Sequence, residues 1–295
     1  MGERQNEYAV VWTTDRGYFP GTNASLNAFE FYGNKADIFI LTWGDFLSDE
    51  YKKQWPENVT FIPIDTSIYP GRDPGWYFVF MDFDFALRNL FDWYPVVLFW
   101  SADQCFLNNV MDFFEISRST NRPILGTNEH GSHNRDFRSI SKVWPYVHTW
   151  AVPYTDQPVF VPATNIEFLK KIMEYQFIPG NVIDRMDGLN YAIRDTQTRV
   201  LEVPGELWIQ NVPYKFYLHE ADKKIYFHES TTFLYAFHRK YWNSTICRQY
   251  LPAQPGTRQA EISRSNKMLF NRMYNFFNRE CRVKWTENLE VWDGN

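Results

Sequence analysis

Three cysteines, Cys105, Cys247 and Cys281, are too few and too scattered for a disulfide framework, and no pair has the short spacing of a zinc knuckle. A reducing compartment is expected. No apolar run approaches the roughly 18 residues that a membrane span requires. The stretch Met1 to Glu7 is polar where an export signal would be apolar, so a soluble, cytoplasmic protein is expected. A basic excess is missing as well. The net charge of −5 argues against a surface that coats nucleic acid, because such binding draws on Lys and Arg to neutralise phosphate. There is no internal repeat and no low-complexity linker. Neither a Ser-His-Asp order nor paired glutamates stand in a frame that would suggest a hydrolase.

What the chain has in plenty is aromatic side chains, 19% of its residues, more than a core requires, and such a surplus often lines sites for sugars or bases. Charge is also unevenly spread. Ten basic and two acidic residues lie between Arg239 and Lys284, which leaves the rest of the chain clearly acidic.

In the first half, short apolar runs alternate with amphipathic stretches, the pattern of βαβ units and a mostly parallel sheet. Strands are expected at Tyr8 to Thr13, Ala36 to Thr42, Asn58 to Ile64, Pro95 to Trp100 and Pro123 to Gly126. Helices are expected at Asn23 to Tyr32, Ser48 to Gln54, Trp76 to Phe91 and Asn108 to Arg118. The second half is less regular, with strands at Pro158 to Pro162, Arg199 to Val203 and Lys224 to Phe227 and helices at Asn165 to Tyr175 and Asp184 to Arg194. From Arg258 to Arg282 the spacing of Ile262, Met268, Leu269, Met273, Phe276 and Phe277 predicts a basic amphipathic helix. The fold class is therefore α/β, a mixed, mostly parallel sheet flanked by helices. Residues 1–245 are expected to form the main domain, and 246–295 a basic, aromatic helical extension packed on it.

The informative feature is an apolar strand that runs into a small pair and an acid, Val96-Val-Leu-Phe-Trp-Ser101-Ala102-Asp103, and then into a helix. Ligands in open α/β sheets sit beyond the carboxyl ends of strands, which is where Ser101 to Gln104 falls. This segment resembles the strand and D-x-D motif of glycosyltransferases with the GT-A fold, in particular the glycogenin-like and bacterial galactosyltransferase-like enzymes. Asp103 matches the second acid, and Ser101 stands where the family has the first.

The resemblance implies transfer of a sugar from a nucleoside diphosphate donor, a uridine one, to an acceptor hydroxyl, with retention of anomeric configuration. It also implies a divalent metal, Mn2+ or Mg2+, because carboxylate oxygens suit a hard cation that neutralises a diphosphate leaving group. Asp103 and His228 are the implied metal ligands, with His238 competing for the second place. Thr13, Thr14, Asp15 and Tyr18 resemble the loop that holds the nucleotide base. Arg88, Lys240 and Trp242 resemble groups that meet the donor, and Ser101 and Asp103 complete that set. Asp156 and Asp187, with Asp184 beside them, stand where the family places the residues that border the donor sugar and its reacting carbon; Leu189 and Asn190 align with the end of the same motif. The acceptor is a glycan, a protein, a small molecule or DNA. Two other readings follow from the residues: a phage-type enzyme that glycosylates a hydroxymethylated base, suggested by cations and aromatics interleaved near the C-terminus, and a non-catalytic sugar-nucleotide or glycan binding module, suggested by Ser101.

Overall fold

The computed structural model describes residues 4–16, 18–64, 80–102, 104–127, 154–176, 185–203, 216–221, 223–227, 236–238, 269, 272–273 and 276–277. The chain divides into two compact units. The first comprises Met1–Arg16, Lys35–Ser101 and Met111–Val203; the second comprises Gly17–Asn34, Ala102–Val110 and Pro204–Asn295.

The first unit holds a seven-stranded sheet. Its strands are β1 (Ala9–Thr14), β2 (Asp37–Trp43), β3 (Val59–Ile64), β4 (Val96–Phe99), β6 (Ile124–Thr127), β7 (Tyr154–Pro162) and β8 (Leu201–Val203), in the order β3-β2-β1-β4-β7-β6-β8. β3, β2, β1 and β4 run parallel, β7 is antiparallel to both β4 and β6, and β8 is parallel to β6. Val11 pairs with Phe99 at the centre, and the Trp100 amide continues that register onto the Val11 carbonyl at 3.0 Å.

Apolar residues fill both faces of the central strands, as a parallel sheet covered on two sides demands. On one face Ala9, Val11, Phe39, Leu41, Val97, Phe99, Val159 and Val161 form a single core. Three helices supply the rest of it, α3 (Met81–Asn89), α5 (Glu167–Gln176) and α6 (Arg185–Asp195), through Phe83, Leu169, Ile172, Leu189 and Ala192 among others. On the other face Phe160 packs edge-on against Phe114 of α4 (Met111–Thr120), ring centroids 5.0 Å apart, and Tyr8 stacks on the same Phe114 at 4.8 Å. A short helix, α2 (Asp49–Lys52), follows β2 and is capped by the Ser48 hydroxyl, which accepts from the Tyr51 amide at 3.2 Å.

In the second unit, α1 (Phe19–Phe31) packs against β5 (Gln104–Phe106), with Phe29 edge-on to Phe106 at 5.1 Å. β5 pairs antiparallel with β11 (Ala236–His238), while β9 (Phe216–His219) and β10 (Lys224–Phe227) make a hairpin. Leu269, Met273 and Phe277 are buried at helical spacing, and Arg272 is exposed with a guanidinium bonded to Glu220.

Element identity follows the sequence pattern, with corrections. α1 begins at Phe19 rather than Asn23, because Pro20 falls in the first turn, where a missing N–H has no intrahelical acceptor to lose. The helix expected from Asn108 starts at Met111: the Asn108 side chain accepts from the amide of Asn109 at 2.8 Å, and the Asn34 side chain takes the amide of Val110 at 2.7 Å, both of which hold the turn. β5, β9 and β11 are additional strands, and β7 begins at Tyr154, four residues before its expected start. Residues 76–79 of the expected third helix and most of the expected helix from Arg258 to Arg282 lie outside the described residues.

Candidate active site

β1 and β4 both end at the same edge of the sheet. Because β7 runs the other way, its first residues arrive at that edge too. Three chain segments therefore converge there: Thr13 to Asp15 after β1, Trp100 and Ser101 after β4, and Tyr154 to Gln157 at the start of β7. Val159 is the last β7 partner of β4, opposite Phe99, so residues 154–158 project past the end of β4.

This overhang is held by side chains. Gln157 donates its amide to the Trp100 carbonyl at 2.9 Å, immediately before Ser101. Thr155, fully buried, donates its hydroxyl to the Gly126 carbonyl at 3.2 Å. The carboxamide of Asn190, on α6, accepts the Tyr154 amide at 2.7 Å and donates to the Tyr154 carbonyl at 2.9 Å. The Tyr154 phenol donates to Glu202 at 2.7 Å, and burial together with that carboxylate holds it well above the ordinary phenol range, so it stays neutral.

α3 and α6 also begin at this edge, since each runs back toward the amino end of the parallel strand that follows it. Asp82, in the first turn of α3, and Arg185, the first residue of α6, form a bidentate pair at 2.8 and 2.9 Å with both side chains buried. The Arg185 guanidinium also lies over the Phe83 ring, 4.0 Å from its centroid. A cation at a helix N-terminus opposes the helix dipole; the carboxylate of Asp82 offsets it here.

The residues expected to act divide as follows. Thr14 is buried and its hydroxyl donates to the Asp15 carbonyl at 3.2 Å, while Thr13, Asp15 and Ser101 are half-buried at the carboxyl edge. Asp156 stands in the β7 overhang, and Asp187 in the first turn of α6, between Arg185 and Asn190. Arg88 sits elsewhere: it is exposed in the last turn of α3, toward the amino edge of β4, and its Nε bonds Asp84 at 2.8 Å. Tyr18, in the second unit, is exposed at the N-cap of α1. Asp103, Asp184, His228, Lys240 and Trp242 lie outside the described residues. The pairing of β11 with β5 sets His238 opposite Gln104, the residue after Asp103, in backbone register. Among the described residues no three His, Cys, Asp or Glu side chains come together as a cation cage, so those residues alone do not make a metal site.

Asn190, Gln157, Asp82 and Arg185 carried no functional expectation of their own. Asn190 had a signal in the aligned Leu189-Asn190 pair. Asp82 and Arg185 had none, since nothing in either local sequence points to the other.

The architecture that this sheet and its flanking helices define is the GT-A fold. No protein-family model matches the sequence, and no curated protein matches it either. Among solved structures the chain is similar to the bifunctional glycosyltransferase WbbM in its apo form, with a TM-score of 0.55 and 11% identity over 88% of this chain and 52% of that one. It thus spans about half the length of WbbM. It is also similar to an active-site mutant of LgtC, with a TM-score of 0.51 and 10% identity over 87% of this chain and 95% of that one. At these identities the likeness is one of fold. No helix among the described residues is long and apolar enough to cross a membrane.

Proposed function

We propose that the protein is a glycosyltransferase that moves a sugar from a nucleoside diphosphate donor, a UDP-sugar, to an acceptor hydroxyl. The observation that carries this reading is the convergence of Thr13 to Asp15, Ser101 and the Tyr154 to Gln157 overhang at the carboxyl edge of a GT-A sheet. The fold likeness to the bifunctional glycosyltransferase WbbM over 88% of this chain, and to LgtC over 87% of it, supports the reading.

In this reading Thr13, Thr14 and Asp15 border the nucleotide, and Asp103, two residues past Ser101, faces its diphosphate. Asp156 and Asp187, on segments tied together through Asn190, border the donor sugar. The enzyme works by orientation and charge placement. A divalent ion, Mn2+ or Mg2+, held by Asp103 with His228 or His238, would supply positive charge at the departing diphosphate. The compartment in this reading is the cytoplasm.

The test is turnover of a panel of nucleotide sugars by the full chain, with added Mn2+ or Mg2+ and with a chelator. Asp103→Ala is expected to lower donor turnover by about 100-fold or more. Full turnover by that variant sinks the role of Asp103, and a wild-type chain that neither binds nor turns over any donor sinks the assignment.

A further inference from the structure

The β7 overhang is unusual in what fixes it. A strand that projects past its neighbour has backbone groups with no ladder partner on that side. At Tyr154 both of those groups, N–H and C=O, are taken by one carboxamide, that of Asn190, at 2.7 and 2.9 Å. The side chain thus imitates a strand residue, and it is anchored on a helix rather than on the sheet.

That helix is itself tied down one turn earlier, where Arg185 makes its buried bidentate pair with Asp82. Between these two ties, at Asp187, lies one of the proposed donor-sugar residues. The other, Asp156, is two residues past Tyr154 on the overhang. The end of the overhang is fixed as well, by Gln157 on the Trp100 carbonyl.

We propose that Asn190 is a positioning residue: its amide staples β7 to α6 and thereby sets the distance between the segments that carry Asp156 and Asp187. This deepens the glycosyltransferase reading and rests on it for the identity of the two acids. The mechanical part, that Asn190 fixes residues 154–157, stands without it. An amide is needed because only a group with an acceptor and a donor in one plane can meet both the N–H and the C=O of the same residue. Aspartate at the same position keeps the acceptor for the Tyr154 N–H and sets a second oxygen against the Tyr154 carbonyl.

Asn190→Ala and Asn190→Asp are compared with the wild-type chain by hydrogen exchange of peptides covering 154–157 and by steady-state donor turnover. In Asn190→Ala the Tyr154 amide is expected to exchange about 5- to 10-fold faster, the loss of one net hydrogen bond, with protection elsewhere unchanged. kcat is expected to fall about 10- to 100-fold, as for a small misplacement of reacting groups, while KM for the donor stays within about 3-fold of wild type. Asn190→Asp is expected to retain more protection at Tyr154 than Asn190→Ala and to lose kcat nonetheless. Unchanged exchange at 154–157 in both variants overturns the proposal, as does a loss of kcat that merely follows the fraction of unfolded protein. A wild-type chain with no donor turnover overturns the glycosyltransferase reading instead, and exchange at Tyr154 still decides whether Asn190 is the staple.

Discussion

A buried arginine at the first residue of a helix is costly unless a carboxylate meets it, and Asp82 meets Arg185 with two hydrogen bonds where neither side chain reaches water. Removal of one partner therefore matters more than removal of both. Asp82→Ala is expected to destabilise the protein by about 3–5 kcal/mol in denaturant unfolding, because Arg185 is left charged and dry. An apolar pair of similar volume, Asp82→Leu with Arg185→Met, is expected to recover most of that loss. Equal stability for the single and the double variant would contradict this account. Asp37 anchors the opposite edge: its carboxylate, buried at the start of β2, accepts from the Gln5 amide at 3.0 Å, the Asn6 side chain at 2.8 Å and the Tyr94 phenol at 2.7 Å.

At the scale of elements, the end of α1 is set by local chemistry. Gly33 has a positive φ of 70°, its amide bonds the Glu30 carbonyl at 3.0 Å, and the Asn34 amide bonds the Phe29 carbonyl at 3.1 Å, the paired pattern of a Schellman cap. A Cβ at Gly33 would meet nothing within 4 Å, so only backbone strain opposes it. Gly33→Ala is expected to cost about 1–2 kcal/mol, with the helix otherwise intact by circular dichroism. The core interface between β7 and α4 is a packing matter. Phe160 is fully buried with its ring against those of Phe113 and Phe114, and Phe160→Ala is expected to cost about 3–5 kcal/mol in the same denaturant experiment. A cost below about 1 kcal/mol would mean that the rings collapse into the space.

At the scale of the whole molecule, several phenols share one behaviour. Tyr51, Tyr94, Tyr154 and Tyr175 are all pushed above the ordinary phenol value, chiefly by burial, and the last three also by a carboxylate that accepts a hydrogen bond from the phenol and disfavours its ionisation. A folded-state pKa above the unfolded one means that the folded chain holds its protons longer. The stabilisation is fully present below about pH 10 and is lost as pH rises beyond it. Melting temperature is expected to hold level through neutral pH and to fall steeply above about pH 10. Tyr94→Phe should flatten that fall, because one of the four groups no longer titrates. A melting temperature unchanged up to pH 12 would contradict this.

The sequence by itself determined the alternation of strand and helix, the apolar central strand that ends at Ser101, and the GT-A resemblance, because side-chain periodicity and the residues after a strand are local properties of the chain. It also marked Asn190 as part of a motif. Only the tertiary structure decided that β7 runs antiparallel and overhangs β4, that β11 pairs with β5 and brings His238 opposite Gln104, and that Asp82 meets Arg185. It also set Arg88 toward the amino edge, although its helix was legible. These are pairings between residues far apart in the chain, and the energy that selects them comes from burying shared surface and satisfying polar groups across the fold, which leaves no periodic trace in either partner alone.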